Sequence, residues 1–91
     1  MPHPFSVTLF VMSSIKISVL FFGQITDYTM VNKIELIDFK DTDTLLLHLK
    51  SMFPRLKESS YQMALDKEII HENTLLTSNH TVALLPPYAG G

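Results

Sequence analysis

The chain has 91 residues, a length typical of one domain, and its 7 basic and 9 acidic residues give a formal net charge of −2. This balance does not resemble the basic footprint of a nucleic-acid-binding protein. Hydrophobic residues make up 46% and charged residues 18% of the chain, which favours a compact globule over disorder. The chain has no cysteine, so it has no thiolate for nucleophilic catalysis or for zinc and iron–sulfur ligation. The lack of disulfides fits a cytoplasmic protein.

Residues 1–14 are expected to be an N-terminal extension outside the fold. The run from Phe5 to Met12 is apolar apart from Ser6 and Thr8. No Lys or Arg precedes it, as a secretory signal would require, and it is too short to span a bilayer. We therefore expect no membrane association, with Met12 as an alternative start position. An added edge strand is the competing interpretation of this segment.

Strands are predicted from alternating apolar residues. Residues 15–22 alternate clearly and residues 33–39 less regularly, and both are rich in β-branched or aromatic side chains. The polar stretch 24–32 between them is predicted to be a connection. Three further strands are predicted at 61–65, 68–70 and 81–85, with a tight turn at Asp66-Lys67 and polar loops at 57–60 and 71–80.

One helix is predicted over residues 41–53. Asp41 or Thr42 can cap its N-terminus, and Pro54 cannot continue its hydrogen-bond ladder. A helix that crosses one face of a mixed sheet is an α+β arrangement, here over residues 15–85, and such a crossover permits a parallel central pair of strands. The apolar stripe at helical spacing consists of Leu45, Leu46, Leu49, Met52, Phe53 and Leu56. The helix should pack on the sheet through Leu45, Leu49 and Met52.

Residues 86–91 are predicted to be a functional tail. Pro86-Pro87 ends the last strand, since proline has no N–H for the ladder, and continues as a stiff extended segment. Gly90 and Gly91 lack a Cβ, so they can pass through a narrow channel and leave the terminal carboxylate open to attack. A frayed terminus is the competing interpretation.

Four segments resemble the small subunit of molybdopterin synthase. They are VLFFGQ (Val19–Gln24), FPRL (Phe53–Leu56), MALDKEII (Met63–Ile70) and VALLPPYAGG (Val82–Gly91), and the last is the most specific. The resemblance covers residues 15–91 and implies a ubiquitin-like β-grasp fold with a flexible Gly-Gly tail. The chain departs from the usual family pattern at a few positions that should not remove the chemistry: Asp66, Ser78-Asn79 and Ala89.

The resemblance also implies the function of a sulfur carrier. An E1-like enzyme would adenylate Gly91 with ATP, and a sulfur donor would convert it to a thiocarboxylate. The tail would then enter the large synthase subunit and pass sulfur to cyclic pyranopterin monophosphate, with Gly90 allowing the tail to thread. The chain alone would be non-catalytic and would bind no cofactor.

The same resemblance implies a set of candidate partner contacts: Phe21, Phe22, Leu84, Leu85, Pro86, Pro87, Tyr88 and Ala89. The first four lie in predicted strands, and for them ordinary core packing is the preferred interpretation.

The four histidines show no metal-ligand spacing. Each is therefore expected to be a solvated or loop residue, and no metal site is predicted.

Three other functions remain open on the sequence. The chain could carry sulfur for thiamine thiazole synthesis or another pathway. It could be a ubiquitin-like modifier joined through Gly91 to lysines of other proteins. It could also be an interaction domain with an inert tail.

Overall fold

The computed structural model describes residues 14–87. Within this range the helices are too short and too polar to cross a bilayer. The elements in chain order are β1 (Lys16–Phe21), a 3-10 turn (Gly23–Ile25), α1 (Thr26–Thr29), β2 (Lys33–Ile37), α2 (Thr42–Met52), a 3-10 segment (Pro54–Glu58), β3 (Gln62–Leu65), β4 (Glu68–Ile70) and β5 (His80–Leu85).

The five strands form one mixed sheet in the order β2-β1-β5-β3-β4. The central strands β1 and β5 run parallel, and every other neighbouring pair is antiparallel. The parallel pair requires a crossover, which the segment containing α2 provides. The predicted α+β fold with a mixed sheet and one main helix is therefore confirmed.

The core lies between α2 and one face of the sheet. Strand residues alternate, so Ile17, Val19 and Phe21 of β1 point into this core while their neighbours point to the other face. The Phe21 ring meets the Phe53 ring edge to face, with centroids 5.5 Å apart. The fully or almost fully buried apolar residues are Ile17, Val19, Phe21, Ile25, Leu45, Leu49, Leu56, Leu76, Val82 and Leu84.

Helix α2 begins with a side-chain cap from Asp41. The Thr44 N–H donates to Asp41 Oδ1 at 2.8 Å, and Asn73 Nδ2 donates to the other carboxylate oxygen at 3.3 Å. These hydrogen bonds lower the pKa of Asp41. The bonds from Thr44 have the largest effect, and the bond from Asn73 has a smaller one. The same Asn73 accepts from the Asp43 N–H at 2.8 Å, so the loop after β4 is tied to the start of the helix.

Several sequence-based boundaries were wrong. The predicted connection 24–32 contains a 3-10 turn and α1, whose end at Met30 adopts φ 64°. Strand β2 stops at Ile37 rather than residue 39, because Asp38 turns the chain at φ 63°. The predicted loop 57–60 is partly 3-10 helix.

The helix stripe was wrong at Met52, which is 42% exposed. The helix ends at this residue, and the chain leaves helical geometry at Phe53 with φ −128° and ψ 82°. Beyond the helix, Leu56 is fully buried and Phe53 packs against the core.

Candidate functional site: the apolar sheet face and the start of the tail

The sheet face opposite α2 carries a continuous apolar surface on its central strands. Leu20 of β1 lies beside Ala83 of β5, which lies beside Ala64 of β3, which in turn lies beside Ile69 of β4. This row crosses four strands at one level of the sheet. We call the surface the apolar sheet face and define it by six residues: Leu20, Phe22, Ala64, Ile69, Ala83 and Leu85.

The apolar sheet face is concave, and two of its larger side chains are notably open to solvent. Phe22 is 44% exposed and Ile69 is 39% exposed. Asp66, Lys67 and Thr81 line one end of the concavity, so an apolar centre meets a polar rim. An apolar centre within a polar rim is the usual arrangement of a protein–protein contact.

The polar end of the face is built by the β3–β4 hairpin. Asp66 and Lys67 have φ 49° and 77°, the left-handed pair that a two-residue type I′ turn requires. The Asp66 carboxylate accepts from the Thr81 N–H at 2.9 Å and lies 2.6 Å from His80 Nδ1. Both contacts lower the pKa of Asp66, and the hydrogen bond from Thr81 has the larger effect. The predicted turn is confirmed, whereas His80 is a strand residue paired with Asp66 and not a solvated loop residue.

The tail starts at the opposite end of the same face. The ladder between β1 and β5 continues to the end of the sheet, where the Phe22 N–H donates to the Leu84 carbonyl at 3.1 Å. Pro86 is buried and Pro87 is exposed. The Pro87 carbonyl accepts from Gln62 Nε2 at 2.6 Å. The chain therefore leaves the sheet beside Phe22 and Leu85.

The predicted site residues divide into four groups, one of which is the pair Pro86 and Pro87 at the start of the tail, where Pro86 is buried and Pro87 is exposed. Phe21 is 2% and Leu84 0% exposed, both on the α2 side of the sheet. This corrects their candidacy as partner contacts: alternation along β1 and β5 places them in the core. Phe22 and Leu85 lie on the apolar sheet face, so core packing was the wrong preference for them. Tyr88, Ala89, Gly90 and Gly91 lie outside the described residues.

Four residues of the apolar sheet face were not predicted as contacts from the sequence: Leu20, Ala64, Ile69 and Ala83. Leu20 had a signal, because the second face of β1 turns apolar at Leu20 and Phe22. The other three needed the strand order, which brings β3, β4 and β5 together at one level. Among residues 14–87, no cluster of three or more metal-ligating side chains is present.

Comparison with known proteins points to one family and one fold. The model of the ThiS family matches residues 19–91. Solved structures with the same fold include a putative molybdopterin converting factor subunit 1 from Pyrococcus furiosus, at 16% identity and TM-score 0.72, covering 80% of this chain and 98% of that one. Small archaeal modifier protein 1 from Methanosarcina acetivorans matches at 19% identity and TM-score 0.69, covering 86% and 98%.

A third similar structure is a complex. It contains subunits 1 and 2 of the molybdopterin-converting factor from Helicobacter pylori, and it matches at 24% identity and TM-score 0.64, covering 85% of this chain and all (100%) of that one. At these identities the structural likeness establishes the ubiquitin-like β-grasp fold.

Proposed function

Because the chain belongs to the ThiS family of ubiquitin-like sulfur carriers, we propose that it is the small subunit of a molybdopterin synthase and carries sulfur on the carboxylate of Gly91. The observation that carries this proposal is the position of the tail. Pro86-Pro87 leaves the sheet at the edge of the apolar sheet face, and the chain ends four residues later in Gly90-Gly91. A partner that covers this face can take the terminus into its own active site.

The proposed partner is the large synthase subunit. The Helicobacter pylori structure contains subunit 1 bound to subunit 2, and this chain shares the fold of these relatives. The apolar sheet face supplies the apolar centre of such a contact, with Asp66 and Lys67 at its polar end. An E1-like adenylating enzyme and a sulfur donor are the other proposed partners.

The chemistry assigned to this chain is confined to its terminal carboxylate. A carboxylate is a poor electrophile, so the activating enzyme must first let a Gly91 oxygen attack the α-phosphorus of ATP, with pyrophosphate leaving. A donor of sulfur at the oxidation level of sulfide then attacks the carbonyl carbon, and AMP leaves. In the large subunit the thiocarboxylate sulfur then attacks a carbon of cyclic pyranopterin monophosphate and displaces an oxygen substituent, and water hydrolyses the acyl–sulfur bond, so that the sulfur stays on the pterin and the Gly91 carboxylate is restored. ATP belongs to the activating partner.

Two measurements test the proposal. Intact mass of the protein isolated from its host should show a species heavier by the difference between sulfur and oxygen. Pyrophosphate exchange with the host's E1-like enzyme should depend on the position of the carboxylate. Deletion of Gly91 withdraws it by about 3.6 Å, and a misplacement of even about 1 Å can cost about a hundredfold in rate. Exchange by the deletion variant at the wild-type rate would refute the carrier role.

The identity of the acceptor separates the proposal from its alternatives. Sulfur transfer to the pterin precursor supports molybdopterin synthesis, whereas transfer only to a thiazole precursor places the chain in thiamine synthesis. A ubiquitin-like modifier would instead leave Gly-Gly remnants on lysines of host proteins after trypsin digestion. The fold shared with small archaeal modifier protein 1 makes that third assay necessary.

A further inference from the structure

The last two described residues are held from both neighbouring strands. Strand β5 lies between β1 and β3 in the sheet, and the chain leaves β5 at Leu85. Neither Pro86 nor Pro87 has an N–H, so this segment cannot extend the ladder by donating to either neighbour. Packing and one side-chain hydrogen bond attach this segment to its neighbours.

Packing holds Pro86 from the β1 side. Gly23 follows the end of β1 at φ 57°, and a Cβ built on it would lie 2.8 Å from Pro86 Cγ and 3.4 Å from Pro86 Cδ. The first distance is shorter than real Cβ contacts, so the proline ring occupies the space that any other residue at position 23 would need. The absence of a side chain at Gly23 therefore allows Pro86 to be buried.

A side chain holds Pro87 from the β3 side. Gln62 is the first residue of β3 and pairs in register with Leu85. Its Nε2 lies 2.6 Å from the Pro87 carbonyl oxygen. That oxygen can only accept, so the amide must donate its N–H, which fixes the orientation of the Gln62 amide.

We infer that Gln62 is a positioning residue that, together with the Gly23–Pro86 contact, fixes the direction in which the tail leaves the sheet. This inference rests on the proposed function, because its consequence is the placement of the Gly91 carboxylate in a partner's active site. Four residues beyond Pro87 span up to about 14 Å when extended. A swing of about 10° at Pro87 therefore displaces the terminus by about 2 Å, enough to disturb the alignment of reacting groups.

The kinetic test uses variants of Gln62 in adenylation by the host's E1-like enzyme. Gln62→Leu removes the amide, and Gln62→Glu keeps the side-chain length but replaces the donor with an acceptor. Both should lower kcat about fivefold, the ratio expected for loss of one neutral hydrogen bond. KM for the carrier should stay unchanged if the activating enzyme also binds the apolar sheet face, because that face is intact in these variants. Gln62→Lys restores a donor and should recover most of kcat.

The matched control is Gln24→Leu, the same change at an exposed glutamine in the 3-10 turn. It should leave kcat and KM at their wild-type values. If Gln62→Leu does not fold, the comparison of Gln62→Glu with Gln62→Lys carries the test. Wild-type kcat in both Gln62→Leu and Gln62→Glu would overturn the inference.

A second readout does not depend on the proposed function. Tyr88 carries the first backbone N–H after the two prolines, so its 15N order parameter reports directly on the restraint at Pro87. The order parameter should fall in Gln62→Leu and Gln62→Glu and stay at the wild-type value in Gln24→Leu. An unchanged value in both Gln62 variants overturns the inference. If the wild-type protein is not adenylated at all, the proposed function fails, and the order parameter alone decides whether Gln62 restrains the tail.

Discussion

Replacement of Phe22 by alanine should weaken binding to the large synthase subunit without unfolding the carrier. Phe22 lies on the apolar sheet face next to the start of the tail, and 44% of it is exposed in the free protein. A phenylalanine presents about 200 Å² of surface, so about 90 Å² remains for a partner to cover. At about 25 cal/mol per Å², this surface contributes about 2 kcal/mol, or about a 30-fold change in Kd.

Isothermal titration of the carrier into the large subunit measures this change directly. The control is Leu47→Ala, which removes an apolar side chain that is 69% exposed on α2, on the opposite side of the molecule. The control should bind with the wild-type Kd. The melting temperatures of both variants should be measured first, to show that each variant is folded. Equal Kd values for Phe22→Ala and wild type, or equal weakening by both variants, would refute the assignment of the apolar sheet face as the contact.

Two further predictions concern stability. Leu49→Ala should lower the free energy of unfolding by about 2–5 kcal/mol in urea titrations, because Leu49 is fully buried, whereas Met52→Ala, at a residue 42% exposed, should cost less than about 1 kcal/mol. Equal costs would contradict the helix orientation. The pKa values of Asp41 and Asp66 lie below 3.8 in the folded protein, so the stability they contribute is fully present above that pH and is lost as pH falls through the folded values. Melting temperature should therefore drop below about pH 4, and Asp66→Asn should flatten that part of the curve; an unchanged acid limb would contradict the Asp66 contacts.

Much of the fold could be predicted because its elements carry strong local signals. Strand β1 alternates over its whole length, and α2 has an acidic cap before it and a proline after it. The hairpin turn at Asp66-Lys67 was predicted from residue type alone. The four residues of α1 were missed because one helical turn is too short for a periodic pattern, although Ile25, just before the helix, and Thr29, at its end, are buried.

The candidate site was harder to predict, for a physical reason. Alternation shows that Phe21 and Phe22 point to opposite faces, but it does not show which face a helix will cover. That choice depends on the handedness of the crossover through α2, a property of the whole chain. Ile69 and Ala83 form one surface only because β4 and β5 flank β3, an order that neither strand's own sequence contains.

The position of β5 in the sheet explains how one small domain can serve as both a rigid platform and a carrier of a reactive terminus. A tail that continued an edge strand would have a neighbour on one side only. Here β5 pairs with β1 from His80 to Leu84 and with β3 from Val82 to Leu85, so its last residues have neighbours on both sides before the chain leaves the sheet. Gly23 and Gln62 extend that restraint past the point where the prolines end the ladder. The segment whose direction must be set for chemistry therefore begins at a strand that is paired on both sides, beside the surface that we propose a partner covers.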